Sequence, residues 1–267
     1  MHMSGLMVKR RTSTFKGDVF RLVSGTGIAQ VITVLSAPFI TRLYTPEDFG
    51  IAALFGSLAA IVSVLACLRY EMSIILPEED SEAANLLMLS LVFSLLTASI
   101  IAILFIFLEG DILTLAGFSE LAPFIWLLPI VIMVHGVTSA LAQWNTRTRH
   151  FTRISISRVI ASTAHVSTSL GAGYVGHATS GALIAAGIGG QTLATSILGM
   201  QIGRQDGRFI LNNLGWRQMW TGLKRYRRFP LYNSWATLLN TASWQLPVFL
   251  LGIFFSPAIA GFYALGF

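Results

Sequence analysis

The chain has 267 residues, 54% of them hydrophobic and only 11% charged, with 18 Lys+Arg against 12 Asp+Glu and a formal net charge of +6. Soluble domains carry roughly a quarter charged residues, so a soluble fold, a disordered chain, a collagen and a disulfide scaffold are excluded and an all-α integral membrane protein is expected. The single cysteine, Cys67, lies in an apolar run and can form neither an intrachain disulfide nor a cysteine metal site.

A helix needs about 20 mostly apolar residues to cross roughly 30 Å of hydrocarbon. The basic stretch Met1 to Arg21 runs into the first such segment, Leu22 to Thr41, without a small-residue cleavage site, so this span is expected to be retained. On it Gln30, Thr33, Ala37 and Thr41 form a mildly polar stripe opposite Ile28, Ile32, Leu35 and Phe39. Pro38 removes a backbone hydrogen bond late in the span and predicts a kink, either structural or a site of bending.

In the following string, TRLYTPEDFG, Thr45-Pro46-Glu47-Asp48 is a helix-start signal. Arg42 and Tyr44 read as interface anchors or a local ion pair, with substrate contact as the other reading. Span two runs from Phe49 to Leu68 and leads into LRYEMSIILPEED. There Arg69 and Glu71 stand at the membrane edge. Their spacing is not the helical i, i+4 step, so pairing with other helices is expected, or binding of a lipid phosphate by the guanidinium.

Spans three and four are Ala83 to Leu108 and Leu121 to Thr146, and Val159 to Gly203 is long enough for two, with a turn at Gly171, Gly173, Gly176, His177 and Ser180. Glycine and hydroxyl side chains crowd this pair. The small-residue string Gly199 to Gly203 suits close packing or a hinge. Residues 204–228 form a linker in which Trp216, Met219, Trp220 and Leu223 share one helical face and Arg217, Thr221, Lys224 and Arg228 the other, as in an interfacial helix lying on lipid. A seventh span covers about Tyr232 to Phe255 and carries Asn233, Thr237, Asn240 and Trp244 on one stripe, Gln245 beside it, and Pro247, which predicts a second kink. After a Ser256-Pro257 break, a short apolar stretch reaches Phe267.

With the N-terminus inside, every Lys and Arg except Arg42 falls on the cytoplasmic side. This explains the basic charge without nucleic acid. Pro38 and Gly50 recur as Pro247 and Gly261, and Gly50, Ala53 and Leu54 recur as Gly261, Ala264 and Leu265. The repeat length is six spans, as in transporters built from two parallel six-helix bundles. The organisation expected is therefore residues 1–203 as one bundle, 204–228 as a linker, and 229–267 as the first helix and part of the second of another bundle, in a C-terminally truncated fragment.

Amides within hydrocarbon need a partner helix or a water-filled cavity, and for Gln30, Asn233, Asn240 and Gln245 both readings stand. A cavity of that kind is neutral and hydrogen-bonding, which suits sugar hydroxyls. No carboxylate lies inside a span, so proton relays and sodium sites have no support. His135, His165 and His177 lack metal-site spacing, and no hydrolase or phosphate-loop motif is present, so no enzyme and no cofactor are expected.

The strings RLYTPEDFG, LRYEMSIILP and FPLYNSWATLLNTASWQLP resemble the polysaccharide-transporter family of O-antigen and related repeat-unit flippases, over nearly the whole chain. The resemblance implies the multidrug/oligosaccharidyl-lipid/polysaccharide exporter (MATE-like) fold: here the first six-helix lobe plus the start of the second. It also implies flipping of a polyprenyl-diphosphate-linked oligosaccharide across the bacterial inner membrane by alternating access. On that reading Arg69, Arg147 and Arg149 are the candidates for neutralising the diphosphate, and Gln30, Asn233, Asn240 and Gln245 for a glycan-passing lumen. Arg42, Pro38, Pro247 and Glu71 then have structural or gating roles. The partners implied are the lipid-linked oligosaccharide, membrane lipids and other polysaccharide assembly proteins. A cation-coupled multidrug exporter, a glycan polymerase or ligase, and a non-functional remnant are the rivals.

Overall fold

The computed structural model describes residues 15–107 and 119–266; the basic tail before Phe15, residues 108–118 of the expected outer loop, and Phe267 lie outside the described residues. What is described is helical throughout. The α-helices are α1 (Phe15–Leu43), α2 (Pro46–Ser63), α3 (Asp80–Phe107), α4 (Leu128–Arg147), α5 (Phe151–Tyr174), α6 (Ser180–Gln205), α7 (Gly207–Asn212), α8 (Trp216–Arg225), α9 (Ser234–Phe254) and α10 (Pro257–Gly266). Short 3-10 segments at Tyr70–Ile75 and Ser119–Leu127 and a π turn at Phe229–Asn233 join them.

Among the described residues six helices are long and apolar enough to cross a membrane, which makes the chain an all-α integral membrane protein. The sequence predicts seven full spans. The helix that falls short is α5, which is 24 residues long but carries Arg153, Arg158, His165 and a run of serines and threonines. It nonetheless packs lengthwise between α1 and α6. A helix this polar is tolerated in a bundle where its polar groups meet partners or line an aqueous space.

The helix boundaries follow local chemistry. Thr45 caps α2 in a reciprocal box with Asp48, and Pro46 takes the first position, where its missing N–H costs nothing. Asp48 is thereby spent on the cap. Arg42 is exposed in the last turn of α1, where a cation complements the helix dipole. Tyr44 does not anchor an interface as expected; it is buried, and its hydroxyl donates to the Ser169 carbonyl of α5 at 2.8 Å. The α5–α6 turn falls where the glycines predicted it, with Gly176 at φ +85° and Thr179 capping α6. Pro38 and Pro247 both lie inside continuous helices.

Small residues set the closest approaches, though not at the predicted string. At Gly190 a Cβ would stand 2.7 Å from the Ala161 carbonyl oxygen, so α5 and α6 touch backbone to backbone there. At Gly199 a Cβ would make ordinary contact with Leu141, and at Gly203 it would meet nothing.

A buried polar layer closes the basic end of the lobe. Trp144, fully buried, donates through Nε1 to Asp206 at 3.1 Å. Arg153 of α5 faces the same carboxylate at 3.8 Å and also donates to Asn145 and Gln205, which ties α4, α5 and α6 together. The linker helix α8 docks on the start of α3, where Asn85, 1% exposed, donates through Nδ2 to Ser81 O, Asn213 O and Gln218 Oε1 and accepts from the Gly215 N–H. Tyr70 adds a hydrogen bond to the Leu223 carbonyl at 3.1 Å.

Helices α9 and α10 lie against α2. Ser57 donates to Gln245 Oε1 at 3.0 Å, which gives that amide a packing role between α2 and α9. Further along the seam two glycines cross reciprocally. A Cβ at Gly50 would stand 1.8 Å from the Pro257 carbonyl oxygen, and one at Gly261 would stand 1.9 Å from the Pro46 carbonyl oxygen. Each helix begins with proline and has glycine one turn later, and each glycine receives the other helix's first turn.

Candidate functional site

Among the described residues cavities open inside this bundle, and His135, whose side chain is exposed to them, lines three. The largest of these three, about 550 Å³, lies between α1, α4, α5 and α6. Its wall is hydroxyl and amide. Gln30 and Thr26 come from α1, Ser157 and Ser162 from α5, and Thr138, Thr195 and Gln191 close a hydrogen-bonded cluster between α4 and α6. Among the described residues Arg158 is the one permanently charged side chain in the lining, and its Nη1 donates to Thr26 Oγ1. Arg158 sits roughly 10 Å along the helix from Phe151. A cation in hydrocarbon costs ~2.5–3.5 kcal/mol on insertion scales; here the guanidinium has a polar cavity and the Thr26 hydroxyl beside it.

The second cavity, about 500 Å³, is walled mainly by apolar and small residues of α2, α4 and α6, Phe49, Phe55, Val131 and Leu183 among them. The third is about 260 Å³ and lies at the seam with α9, which contributes Thr237 and Thr241 opposite Ser63, Arg69 and Glu71. Leu68 and Arg69 both have left-handed backbone, at φ 48° and 62°. Such conformations cost on the order of 1–3 kcal/mol for non-glycine residues, and here they fold Arg69 back so that Nη1 meets Glu71 Oε1 at 3.4 Å. The two residues therefore pair with each other and not, as their spacing predicts, with other helices. Burial pushes the Glu71 carboxyl above the ordinary carboxylate range, and Arg69 only partly offsets it.

Residues 39–267 match the polysaccharide biosynthesis protein family. The chain belongs to the polysaccharide biosynthesis protein family. No curated protein and no solved structure matches it significantly.

In this family member the predicted site residues separate. Gln30 lines the large cavity and Arg69 and Glu71 the small one. Asn233 and Asn240 line none of the three, although Thr237 and Thr241 on the same helix do. Arg149 is exposed in the α4–α5 turn, at φ 58°. Arg147 is corrected outright. Its guanidinium donates to the Ile74, Ile75, Pro77 and Glu78 carbonyls and, through Nε and Nη2, to Asp80 Oδ1, and its side chain is 5% exposed. No donor is left for a phosphate. Sequence reasoning placed Arg158, His135 and Gln191 in no binding site; the signal that marks Arg158 is its place, one residue before the predicted fifth span, in a long helix that among the described residues is too polar to count as a membrane span. Among the described residues no cluster of His, Cys, Asp and Glu could hold a metal ion.

Proposed function

We propose that this polysaccharide biosynthesis protein is a flippase for polyprenyl-diphosphate-linked oligosaccharide in the bacterial inner membrane, with its N-terminus and basic end cytoplasmic. The observation that carries the reading is the 550 Å³ cavity inside a membrane bundle, lined by hydroxyls and amides and holding one guanidinium, Arg158. Such a wall offers donors and acceptors to sugar hydroxyls at no charge cost, and a guanidinium matches two phosphate oxygens at once. Arg149 stands at the same end and meets the diphosphate first; Arg158 holds it as the glycan enters. The polyprenyl tail stays in lipid, so only the head group crosses the interior. Access alternates as the seam between α2 and α9–α10 opens and closes, with the prolines of α1 and α9 allowing the helices to bend.

The test is made in the native strain by removing the whole reading frame and assaying which leaflet holds the lipid-linked oligosaccharide. Accumulation on the cytoplasmic side, reversed by the intact gene, is expected. A gene carrying Arg158→Gln, inserted at normal levels, is expected to restore transport at least about tenfold less well, as loss of a charge-assisted contact implies. Normal sidedness without the gene, in a strain with no second flippase, overturns the reading and favours a multidrug exporter.

A further inference from the structure

The small cavity at the α9 seam has polar atoms that the chain leaves unsatisfied. Glu71 is 4% exposed, and its Oε2, together with Arg69 Nε and Ser63 Oγ, is buried without a hydrogen-bond partner in the chain. Buried polar atoms of this kind cost about 1–3 kcal/mol each when nothing meets them, and the three residues that carry them all line one 260 Å³ space.

Their chemistry narrows the occupant. Glu71 Oε2 asks for a donor, Arg69 Nε–H asks for an acceptor, and Ser63 takes either role. The carboxylate and guanidinium already neutralise each other at 3.4 Å. A phosphate is repelled by Glu71 and a cation by Arg69, so a neutral ligand that both donates and accepts at adjacent atoms fits best. Two neighbouring hydroxyls on a sugar ring do this. Ser139 on one side and Thr237 and Thr241, one turn apart on α9, supply further hydroxyl partners. The space suits one ring and not two.

We propose that this cavity is a subsite for a single neutral pyranose, gripped through adjacent hydroxyls by Arg69 and Glu71 and closed by the threonines of α9. The assignment rests on the glycan-transport reading and deepens it: Arg69 recognises sugar and not diphosphate. Because the walls come from both sides of the seam, an occupied subsite holds α9 against the first lobe. Transport then depends on which sugar stands at that position of the repeat unit.

The experiment uses the full chain in lipid nanodiscs with a panel of methyl α- and β-hexopyranosides, read by ligand-observed NMR and calorimetry. At least one glycoside is expected to bind. The double variant Thr237→Val, Thr241→Val, which keeps side-chain shape, is expected to weaken that binding by about tenfold or more with little change in melting temperature, and Glu71→Gln, which also loosens the pair with Arg69, is expected to weaken it by as much. Absence of binding by every glycoside, or equal binding by both variants, overturns the subsite. The transport reading is judged separately by leaflet sidedness: normal sidedness without the gene removes its basis, whereas gene-dependent sidedness with no glycoside binding leaves transport standing and the subsite refuted.

Discussion

Arg147 and Arg158 show how two arginines eleven positions apart on neighbouring helices take opposite tasks. Arg147 closes the basic end, its guanidinium stitched to four carbonyls and to Asp80. Removing one member of such a buried pair strands the others, at roughly 3–5 kcal/mol. Arg147→Ala is therefore expected to lower the melting temperature and the yield of folded protein sharply, whereas Arg158→Gln leaves the melt in place and lowers transport. A melt unchanged in Arg147→Ala would contradict the structural assignment. Glu71 gives a pH-dependent counterpart. Its folded pKa is raised by burial above the unfolded value, about 4.3, so the folded chain holds the proton more tightly. Stability is then highest below the unfolded pKa and falls as pH rises toward the folded one. Glu71→Gln is expected to flatten that part of a melting-temperature profile taken from about pH 4 upward; an unaltered slope would show that another group sets it. Composition placed both arginines on the basic side, but which one is consumed by carbonyls depends on where residues 74–80 pass, and no local spacing encodes that path.

At the scale of elements, the span pattern was legible because charge-free runs of membrane length announce themselves, and so did the cap at Thr45; the cap at Thr179 emerges only in the structure. Helix α5 was legible as a helix, but its special character was not seen. Counting it as one more span hid that its polar residues face the large cavity. The linker helix was half legible. Its apolar face is divided in the structure: Met219 and Leu223 pack on the core beside α3, while Trp216 and Trp220 remain exposed next to Arg217 and Lys224. What helps to fix this geometry is Asn85, an ordinary polar residue in sequence whose side chain joins α3 to Asn213 and Gly215 before α8 and to Gln218 on it. Asn85→Ala is expected to cost about 1–3 kcal/mol and to admit protease and hydrogen exchange across residues 213–228 first. Equal protection there in variant and parent would mean that the apolar contacts suffice.

For the whole molecule, Arg147, Arg153 and Arg225 meet their carboxylates where α3 begins and α4 and α6 end, polar space lies within the bundle, and the seam with α9–α10 closes at Gly50 and Gly261. Neither glycine has room for a methyl, since the nearest atoms are backbone of the opposing helix. Gly50→Ala and Gly261→Ala are each expected to destabilise the fold by about 1–3 kcal/mol and to lower the yield of a cysteine cross-link engineered between α2 and α10. Pairing them in one chain should do little further harm, because the first substitution already parts the helices; additive losses would show that the two contacts are independent.

That reciprocity has a symmetry of its own. A contact in which each side offers the same proline, glycine and helix turn is self-complementary, as the interface of a two-fold dimer must be, so the first turns of α2 and α10 meet as equivalent partners.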